Sequence, residues 1–481
     1  MSGYILSIDQ STSGTKALLL DEKGNVAGRA DRAHEQKISA EGWVSHDAAK
    51  IYDNLLEAVR EVLQTTGCDP AAVCAAAITN QRETALIWDV ETGLPLMDAV
   101  VWQCARASDV CSELTPRAQE IQCRTGLPLS PYYSAAKIAW LLRRVCIQPG
   151  RKICAGTMDS YLLYRLTGGA CFCTDVSNAS RTQLMNLETL DWDEEICAWF
   201  GIPKDVLPHI CDSNACFGRS DFGGALPKAV PIHAMMGDSH AALYGQGCHQ
   251  SGEGKVTYGT GSSIMVNIGS ELRAPVRGLV TSLAWRMNGT AQYVWEGNIH
   301  YAGAALEWLR KDLGLIASAG EAEDLARQAH PQDTTYLVPA FTGLGAPYWK
   351  TEAKALLCGM TRHTGKAEIV RAALDSIAYQ VNDVLQAMGE GLTIRRLCAD
   401  GGPTRNAYLM QFQSDLTRLP VAVAQQEELS AIGAGLAAGL AVGLYTLEVF
   451  ENRACTLYRP QMPEKVRKEK IQGWRHALSL T

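Results

Sequence analysis

The first part of the chain alternates between short apolar runs and short polar turns, a pattern typical of antiparallel strands. The apolar run Tyr4–Ile8 leads into a turn of small polar residues at Gln10–Thr15, and a second apolar run follows at Ala17–Leu20. Glu22–Asn25 forms a further turn before a third strand. Because Ser, Thr, Gly and Asn favour turns, these segments predict a β-hairpin with a Ser/Thr/Gly tip.

The same pattern recurs in the second half of the chain. Lys255–Tyr258 leads into the turn Gly259–Ser263, and an apolar run continues over Ile264–Ile268. Two similar hairpins predict two related domains, each offering a loop to a shared cleft. We place the boundary near the small polar residues of Gly245–Gly254, which gives two predicted domains: 1–246 and 247–481.

Other segments predict helices and strands around these hairpins. Apolar residues recur at helical spacing over 48–66, and Val73–Thr79 is an apolar run typical of a buried strand. Leu397–Ala399 predicts a further strand, followed by the Gly-rich turn Asp400–Pro403 and a helix from Asn406.

One stretch near the C-terminus, Ser430–Leu447, carries no charge and is barely long enough to span a membrane. It contains four glycines, and small residues let helices approach closely in protein cores. We therefore predict a buried, closely packed helix rather than a membrane span, and no membrane partner.

The composition is that of a globular protein, with 47% hydrophobic and 20% charged residues among 481. The formal net charge is −7, so the chain has no broad basic surface, and we expect no nucleic-acid partner. A local anion pocket built from backbone N–H groups needs no net positive charge and stays open.

The sixteen cysteines are scattered and include no CxxC pair, which argues against a disulfide framework or a zinc site. The N-terminal segment lacks the basic region of a signal peptide and reaches an acidic residue at Asp9. We therefore expect free thiols and a cytoplasmic location.

The two hairpin tips carry the residue types that phosphoryl transfer needs. Asp9–Lys16 combines a carboxylate at a strand end with hydroxyl groups, a glycine and a cation, and Gly259–Ser262 is a second tip of this kind. A solvated turn is the alternative for either tip alone. Two such tips in one chain favour phosphate binding.

Longer strings of residues resemble the FGGY family of carbohydrate kinases, and its glycerol kinases above all. They run in order along nearly the whole chain: Thr79–Thr84, Val101–Cys104, Thr174–Asp175, Asn178–Thr182, Tyr258–Gly261, Val338–Trp349 and Leu409–Asp415. The resemblance implies an α/β fold of two actin-like (ribonuclease H-like) domains around a central cleft. It also implies ATP and Mg²⁺ as cofactors, a small polyol or sugar as substrate, and a homodimer or homotetramer.

The resemblance also implies site residues. Asp238 is similar to the general base of the family, although its place between an apolar run and a helical one fits a helix N-cap as well. Asp9 and Asp238 would hold Mg²⁺. The substrate would contact the following residues: Arg82, Glu83, Trp102, Tyr132, Asp238, Ser239 and Ser263. The nucleotide would contact these: Ser11, Thr12, Ser13, Lys16, Gly259, Thr260, Gly303, Glu307, Gly401, Gly402 and Asn406.

Several positions depart from the glycerol kinases of this family. Ser239 and His240 stand where those enzymes have two glutamines, Ser263 replaces a phenylalanine, and Glu307 replaces a glutamine. The smaller side chains of Ser239 and Ser263 predict a substrate pocket enlarged for a polyol or ketose of four or five carbons. Glycerol itself is the alternative substrate. The segment Gly223–Lys228 lacks the arginine of enzymes controlled by fructose 1,6-bisphosphate, which argues against that control.

Two functions of other classes compete with the kinase prediction. A sugar sensor without catalysis would have no use for the predicted base at Asp238. An actin-like polymer or chaperone ATPase would share the two phosphate loops but would have no role for Arg82, Glu83 and Trp102. Both are therefore less favoured.

Overall fold

The computed structural model describes residues 3–146, 150–451 and 453–481, so small parts of both predicted domains (1–2, 147–149 and 452) lie outside it. The architecture is α/β, with two large mixed sheets and helices packed against them. The prediction of an α/β fold is confirmed.

The first half of the chain begins with five strands before its first helix. Its strands are β1 (Tyr4–Gln10), β2 (Gly14–Leu20), β3 (Val26–Ala33), β4 (Lys37–Ile38), β5 (Val44–His46), β6 (Val73–Asn80), β7 (Ala85–Asp89), β8 (Ala99–Val100), β9 (Ile153–Thr157), β10 (Cys173–Asp175), β11 (Met185–Asn186), β12 (Asp191–Trp192), β13 (His209–Cys211), β14 (Cys216–Ser220) and β15 (Val230–Gly237). Its helices are α1 (Ala48–Thr66), α2 (Ser108–Glu113), α3 (Ala118–Thr125), α4 (Ser134–Leu142), α5 (Met158–Leu166), α6 (Val176–Ala179), α7 (Glu194–Phe200) and α8 (Asp238–Gly245).

The second half has longer helices. Its strands are β16 (Glu253–Tyr258), β17 (Ser262–Gly269), β18 (Val280–Met287), β19 (Thr290–Ile299), β20 (Tyr336–Val338), β21 (Leu356–Cys358), β22 (Arg396–Asp400), β23 (Val421–Ala424) and β24 (Cys455–Tyr458). Its helices are α9 (Gly303–Lys311), α10 (Ala319–Gln328), α11 (Lys366–Gly389), α12 (Ala407–Thr417), α13 (Leu429–Ala441) and α14 (Glu464–Ser479).

Both large sheets are built around the same three-strand unit. In the first sheet, of order β14-β15-β6-β1-β2-β3, β1 pairs antiparallel with β2 and parallel with β6. In the second, of order β18-β19-β17-β16-β22-β23-β24, β16 pairs antiparallel with β17 and parallel with β22. The two predicted hairpins are therefore confirmed as strand pairs. The carboxyl ends of the parallel strands in each sheet are where ligands commonly bind.

The helix predicted over residues 48–66 is α1, with the same bounds. Asp47 caps its start by accepting a hydrogen bond from the Lys50 backbone, and Gly67 ends it in the left-handed conformation. The apolar face, which includes Ile51 and Leu55, is buried on the first sheet. The spacing of apolar residues within this segment was therefore sufficient to predict the helix.

The uncharged stretch near the C-terminus forms the buried helix α13, which lies against the first sheet rather than the second. The Ser7 hydroxyl donates a 2.6 Å hydrogen bond to the carbonyl of Ala431. A Cβ on Gly433 would lie 1.9 Å from the carbonyl oxygen of Ala241, so only glycine allows α8 and α13 to approach this closely. In the described part of the chain, no helix is both long and apolar enough to cross a membrane.

Candidate active site

A cavity of about 550 Å³ lies between the two large sheets, at the carboxyl ends of their central strands. The first half of the chain lines it from the β1–β2 hairpin and from the start of α8, and the second half lines it from β16 and the turn after β22. It brings together six of the predicted site residues: Asp9, Lys16, Asp238, Ser239, Gly401 and Gly402. We call it the phosphate cavity.

Asp9 presents a carboxylate at the wall of the phosphate cavity. It is 5% exposed, and its Oδ1 atom has no hydrogen-bond partner in the structure. Burial raises the pKa of Asp9 to about 7, although the charge of nearby Lys16 opposes the rise. A buried carboxylate oxygen without a partner is chemically suited to a cation.

The carboxylates that line the phosphate cavity suit Mg²⁺ better than a metal ion whose ligands all come from the protein. Among residues 3–146, 150–451 and 453–481, no group of three or more His, Cys, Asp or Glu residues could hold a metal ion. Mg²⁺ commonly uses only one or two carboxylates and takes its other ligands from water and phosphate oxygens. Asp9 and Asp238, which both line the cavity, are consistent with that pattern.

Asp238 begins α8 directly after the last residue of β15. The helix N-cap is Gly237, so the alternative prediction that Asp238 caps the helix is wrong by one position. Its Oδ1 accepts a hydrogen bond from the Ser239 backbone at 2.6 Å and lies 3.3 Å from Nε of Arg82. The side chain keeps 35% of its surface exposed, which leaves the carboxylate accessible from the cavity.

Arg82 and Glu83 take part in a buried cluster of four charged side chains. Both terminal nitrogens of Arg82 contact Glu296, at 3.0 and 3.2 Å. Glu83 accepts a 2.6 Å hydrogen bond from Arg181, and Arg181 also lies 3.2 Å from Glu296. Glu83 has φ of 62°, a strained conformation for a residue that is not glycine. The adjacent residues Arg82 and Glu83 therefore contact different partners, Glu296 and Arg181.

Glu296 is the residue at this cluster that sequence reasoning missed. It is fully buried, and although burial opposes ionisation, Arg181 and Arg82 hold its pKa well below the usual range. The signal was a single carboxylate within an apolar segment of β19, between Trp295 and Gly297. Arg181 lay inside a family-like string but had no role assigned.

Trp102 and Tyr132 form an aromatic wall. Their rings meet edge to face, with centroids 5.6 Å apart and planes at 65°. The Trp102 indole donates a 3.0 Å hydrogen bond to the hydroxyl of Thr12, which ties this wall to the tip of the first hairpin. Trp102 and Tyr132, both predicted to contact the substrate, therefore lie side by side.

Four further predicted residues, Ser11, Thr12, Ser13 and Ser263, are not part of the lining of the phosphate cavity. Ser263 sits on β17, with its hydroxyl 3.5 Å from Oε1 of Glu296. Ser11 and Thr12 use their hydroxyls within the hairpin tip and toward Trp102, and Ser13 is exposed. The three hydroxyl residues predicted to surround phosphate therefore stand beside the phosphate cavity, outside its lining.

A second, larger cavity of about 1020 Å³ adjoins the tip of the second hairpin. Its lining contains six predicted nucleotide residues: Gly259, Thr260, Gly303, Glu307, Gly402 and Asn406. It shares Gly402 with the phosphate cavity, so the two spaces meet at the turn after β22. We call it the nucleoside cavity.

Two glycines permit the close backbone contacts on which the nucleoside cavity depends. A Cβ on Gly303 would lie 2.7 Å from the carbonyl oxygen of Gly259, where α9 begins against the hairpin tip. Gly401 has φ of 95°, and a Cβ there would lie 2.0 Å from the carbonyl oxygen of Tyr258.

Aromatic residues of the nucleoside cavity were not predicted. Phe341 packs beside Tyr301 and Trp308, with ring centroids 5.0 and 4.9 Å away. They give the cavity an apolar face of the kind that accepts a flat ring system. Glu307 stands on the same lining, but its carboxylate pairs with Arg310 and Lys311 on the surface of α9.

Comparison with known proteins gives one consistent result. The N-terminal domain of the FGGY family of carbohydrate kinases matches residues 4–245, and its C-terminal domain matches residues 254–442. Glycerol kinase 1 of Thermotoga maritima is 45% identical over 490 residues, covering 99% of both chains. Glycerol kinase of Symbiobacterium thermophilum is 42% identical, covering 99% of this chain and 98% of its own.

Solved structures agree with the sequence comparison. The crystal structure of Plasmodium falciparum glycerol kinase with ADP superimposes with a TM-score of 0.93 at 34% identity and covers 100% of this chain and 98% of its own. A ligand-bound xylulose kinase from Lactobacillus acidophilus has a TM-score of 0.89 at 21% identity, covers 99% of this chain and 97% of its own, and shares the fold.

Proposed function

Because the chain belongs to the FGGY family of carbohydrate kinases and is an ATP-dependent kinase of alcohol groups, we propose that it phosphorylates a primary hydroxyl of a small polyol, with glycerol as the first candidate. The names of the full-length relatives, which are glycerol kinases, support this substrate. One geometric observation carries the proposal. Asp238 lines the phosphate cavity and also contacts Arg82 of the buried charged cluster, so it joins the two places where phosphate and polyol would meet.

Asp238 acts as the general base in this proposal. Its carboxylate accepts the proton of the primary hydroxyl as the oxygen attacks the γ-phosphorus of ATP and the bond to the β–γ bridging oxygen breaks. The exposed third of its side chain supports this role, since a carboxylate locked in several hydrogen bonds would be a weaker acceptor.

Mg²⁺ would be held by Asp9 and Asp238, with phosphate and water oxygens completing its ligands. When bound, it neutralises negative charge that develops on the phosphate oxygens. The unpartnered Oδ1 of Asp9 supports this assignment. Lys16, Gly401 and Gly402 would contact the phosphates, and closure of the cleft would bring Ser11, Thr12 and Ser13 to them.

The polyol would lie against the aromatic wall of Trp102 and Tyr132. Arg82 would donate to one hydroxyl, and Glu83 would accept from another, while Glu296 and Arg181 hold both in place. Arg82 and Glu83 would thus each bind a different hydroxyl group of the polyol. The nucleoside would occupy the cavity lined by Gly259, Thr260, Gly303, Glu307, Gly402 and Asn406, and the exclusion of water would limit wasteful hydrolysis of ATP.

A polyol or ketose of four or five carbons is the second candidate. The supporting observation is Ser263, whose hydroxyl stands 3.5 Å from Glu296 and could meet a substrate hydroxyl beyond the third carbon. Ser239, whose side chain is smaller than the glutamine of the glycerol kinases in this family, lines the phosphate cavity next to the base. Hydrogen-bonding sites discriminate strongly between substrates that do and do not fill them.

A coupled assay of ADP release tests the two candidates together. Glycerol, erythritol, threitol, xylitol, ribitol, erythrulose and xylulose serve as acceptors at equal ATP and Mg²⁺ concentrations. The first candidate predicts the highest kcat/KM for glycerol, and the second predicts it for a compound of four or five carbons. Absence of ADP release with every acceptor would contradict the proposed function. Binding of a polyol without turnover would favour the sensor.

We further propose the domain division 1–246 and 247–481, a cytoplasmic location, and assembly as a homodimer or homotetramer. The gap between the two family matches, at residues 246–253, supports the position of the division. Size-exclusion chromatography with light scattering measures the assembly state directly.

A further inference from the structure

Lys255 is a buried cation that faces the phosphate cavity and that the sequence analysis did not assign. It lies in the middle of β16, keeps only 1% of its surface exposed, and contributes to the cavity lining. Asp238 and Asp400 line the same cavity. The ammonium group is therefore close to the proposed reaction without being part of the surface.

The only hydrogen-bond acceptor of Lys255 in the described part of the chain is the hydroxyl of Thr257, at 2.7 Å. Among the same residues, no carboxylate oxygen lies within 4.0 Å of the Lys255 ammonium nitrogen. Burial lowers the pKa of Lys255, and the charges of Asp400 and Asp238 partly restore it. A buried ammonium with one neutral partner is costly unless an anion joins it.

A second buried lysine shows what a purely structural role looks like in this protein. Lys137 is also fully buried, but its ammonium donates to three backbone carbonyls, those of Pro131, Tyr132 and Tyr133. All three of its N–H donors are thereby used. Lys255 keeps two donors free beside the cavity.

The other cations that line the phosphate cavity already have partners. Lys16 pairs with Glu428 at 2.5 Å, and Arg405 pairs with Glu427 at 2.9 Å on the surface. Among the described residues, this leaves Lys255 as the cation of the lining with no carboxylate partner. A phosphate group entering the cavity would supply the missing anion.

We propose that Lys255 is a further catalytic residue, whose ammonium contacts the γ-phosphoryl group of ATP and stabilises the charge on its oxygens during transfer. This inference rests on the proposed function. The phosphorus–oxygen bond to the polyol forms, the bond to ADP breaks, Asp238 takes the hydroxyl proton, and Lys255 keeps its own protons throughout. We assign the γ-position because Lys255 lines the same cavity as Asp238, and the base acts on the hydroxyl that attacks the γ-phosphorus.

Nucleotides with and without the γ-phosphate test this role. Calorimetric titration with MgADP and with the magnesium complex of β,γ-imido-ATP is compared for the wild type, Lys255→Gln and Lys255→Arg. The exposed Lys366→Gln, paired with Glu321 on the surface, serves as the control. We expect Lys255→Gln to bind ADP within about threefold of the wild type, to bind the imido analogue at least about tenfold more weakly, and to lower kcat about 10²- to 10³-fold. Lys255→Arg should recover part of each loss.

The alternative is that Lys255 only supports Thr257. Equal weakening of both nucleotides, or a kcat within about threefold of the wild type in Lys255→Gln, would overturn the proposal. If the Lys255 variants do not fold, Thr257→Val provides the test, because it removes the structural contact and leaves the ammonium. We then expect Thr257→Val to bind the imido analogue and ADP with the same relative affinity as the wild type. Loss of the preference for the imido analogue would contradict the role of Lys255.

The two proposals fail in different ways. If the wild type transfers phosphate to no alcohol, the proposed function is wrong. Lys255 is still judged by the difference between ADP and the imido analogue, which requires no acceptor. If the wild type is active and the difference is absent, only the assignment of Lys255 is wrong.

Discussion

The guanidinium group of Arg82 makes two contacts with the carboxylate of Glu296, at 3.0 and 3.2 Å, across 214 residues of chain. Arg82 follows β6 of the first sheet, and Glu296 lies on β19 of the second. Both side chains are buried. The pair therefore fixes the geometry of a proposed substrate contact by joining the two halves of the protein.

Loss of the Glu296 charge should damage both stability and activity. Glu296→Gln leaves Arg82 and Arg181 buried without their shared carboxylate, and breaking a buried pair costs about 3–5 kcal/mol. Denaturant unfolding should show a loss of that order, together with a lower kcat/KM. Glu194→Gln, at a side chain that is 82% exposed and 3.5 Å from Lys204, should change the free energy of unfolding by less than about 1 kcal/mol. Similar values for both variants would contradict the role of the cluster.

Asp9 should make the metal-free protein less stable as the pH rises. The pKa of Asp9 is about 7 in the folded protein and 3.8 in the unfolded chain, so between these pH values the folded state binds more protons than the unfolded state. The free energy of unfolding therefore falls as the pH rises from about 4 to about 7. At one pKa unit per 1.36 kcal/mol, the loss is at most about 4 kcal/mol. In a chelating buffer, unfolding curves of Asp9→Asn should lack this decline. Parallel pH profiles of the wild type and Asp9→Asn would contradict the burial of an ionisable carboxylate.

Replacing Ser263 by a large apolar side chain should alter acceptor preference. Ser263→Phe removes the hydroxyl near Glu296 and fills the space beside it. If the pocket binds a substrate of four or five carbons, the kcat/KM of Ser263→Phe for that substrate should fall about tenfold or more relative to its kcat/KM for glycerol. Ser263→Ala removes the hydroxyl alone and separates hydrogen bonding from volume. An unchanged ratio in both variants would place Ser263 outside the acceptor site.

A methyl group at Gly303 should disturb the nucleoside cavity. The added Cβ would press on the Gly259 carbonyl at 2.7 Å, and overpacking of this kind costs about 1–3 kcal/mol. We expect the KM for ATP to rise about tenfold in Gly303→Ala, with the KM for the polyol less affected. Gly389→Ala is the matched control, since a Cβ there meets nothing within 4 Å. An unchanged KM for ATP would show that α9 does not position the nucleotide.

The parts of the fold that sequence predicted best are those set by local patterning. The hairpin around Gln10–Thr15 and the helix over 48–66 follow from turn residues and from helical spacing, both visible within a short window. The bounds of α13 were harder to predict, because the stretch stays apolar beyond Ala441, where the helix ends.

The site was predicted in pieces rather than as a network. Asp238 and Arg82 could be named from family-like strings, but their contact could not, since it depends on how β6 and β15 pair in the sheet. Glu296 and Lys255 were missed because their positions at the site likewise depend on how distant strands pair in the sheet. A charged residue in an apolar strand predicts a buried partner, but the hydrophobic pattern does not identify which distant residue that partner is.

Single-turnover transfer of the γ-phosphate from ATP to the best acceptor, in the wild type and in Asp238→Asn, tests the central claim most directly. We predict that Asp238→Asn, at saturating MgATP and acceptor, forms the phosphate ester about 10²- to 10⁴-fold more slowly than the wild type, the contribution of a general base. The exposed Asp205→Asn should react at the wild-type rate. A rate for Asp238→Asn within about threefold of the wild type would contradict the account.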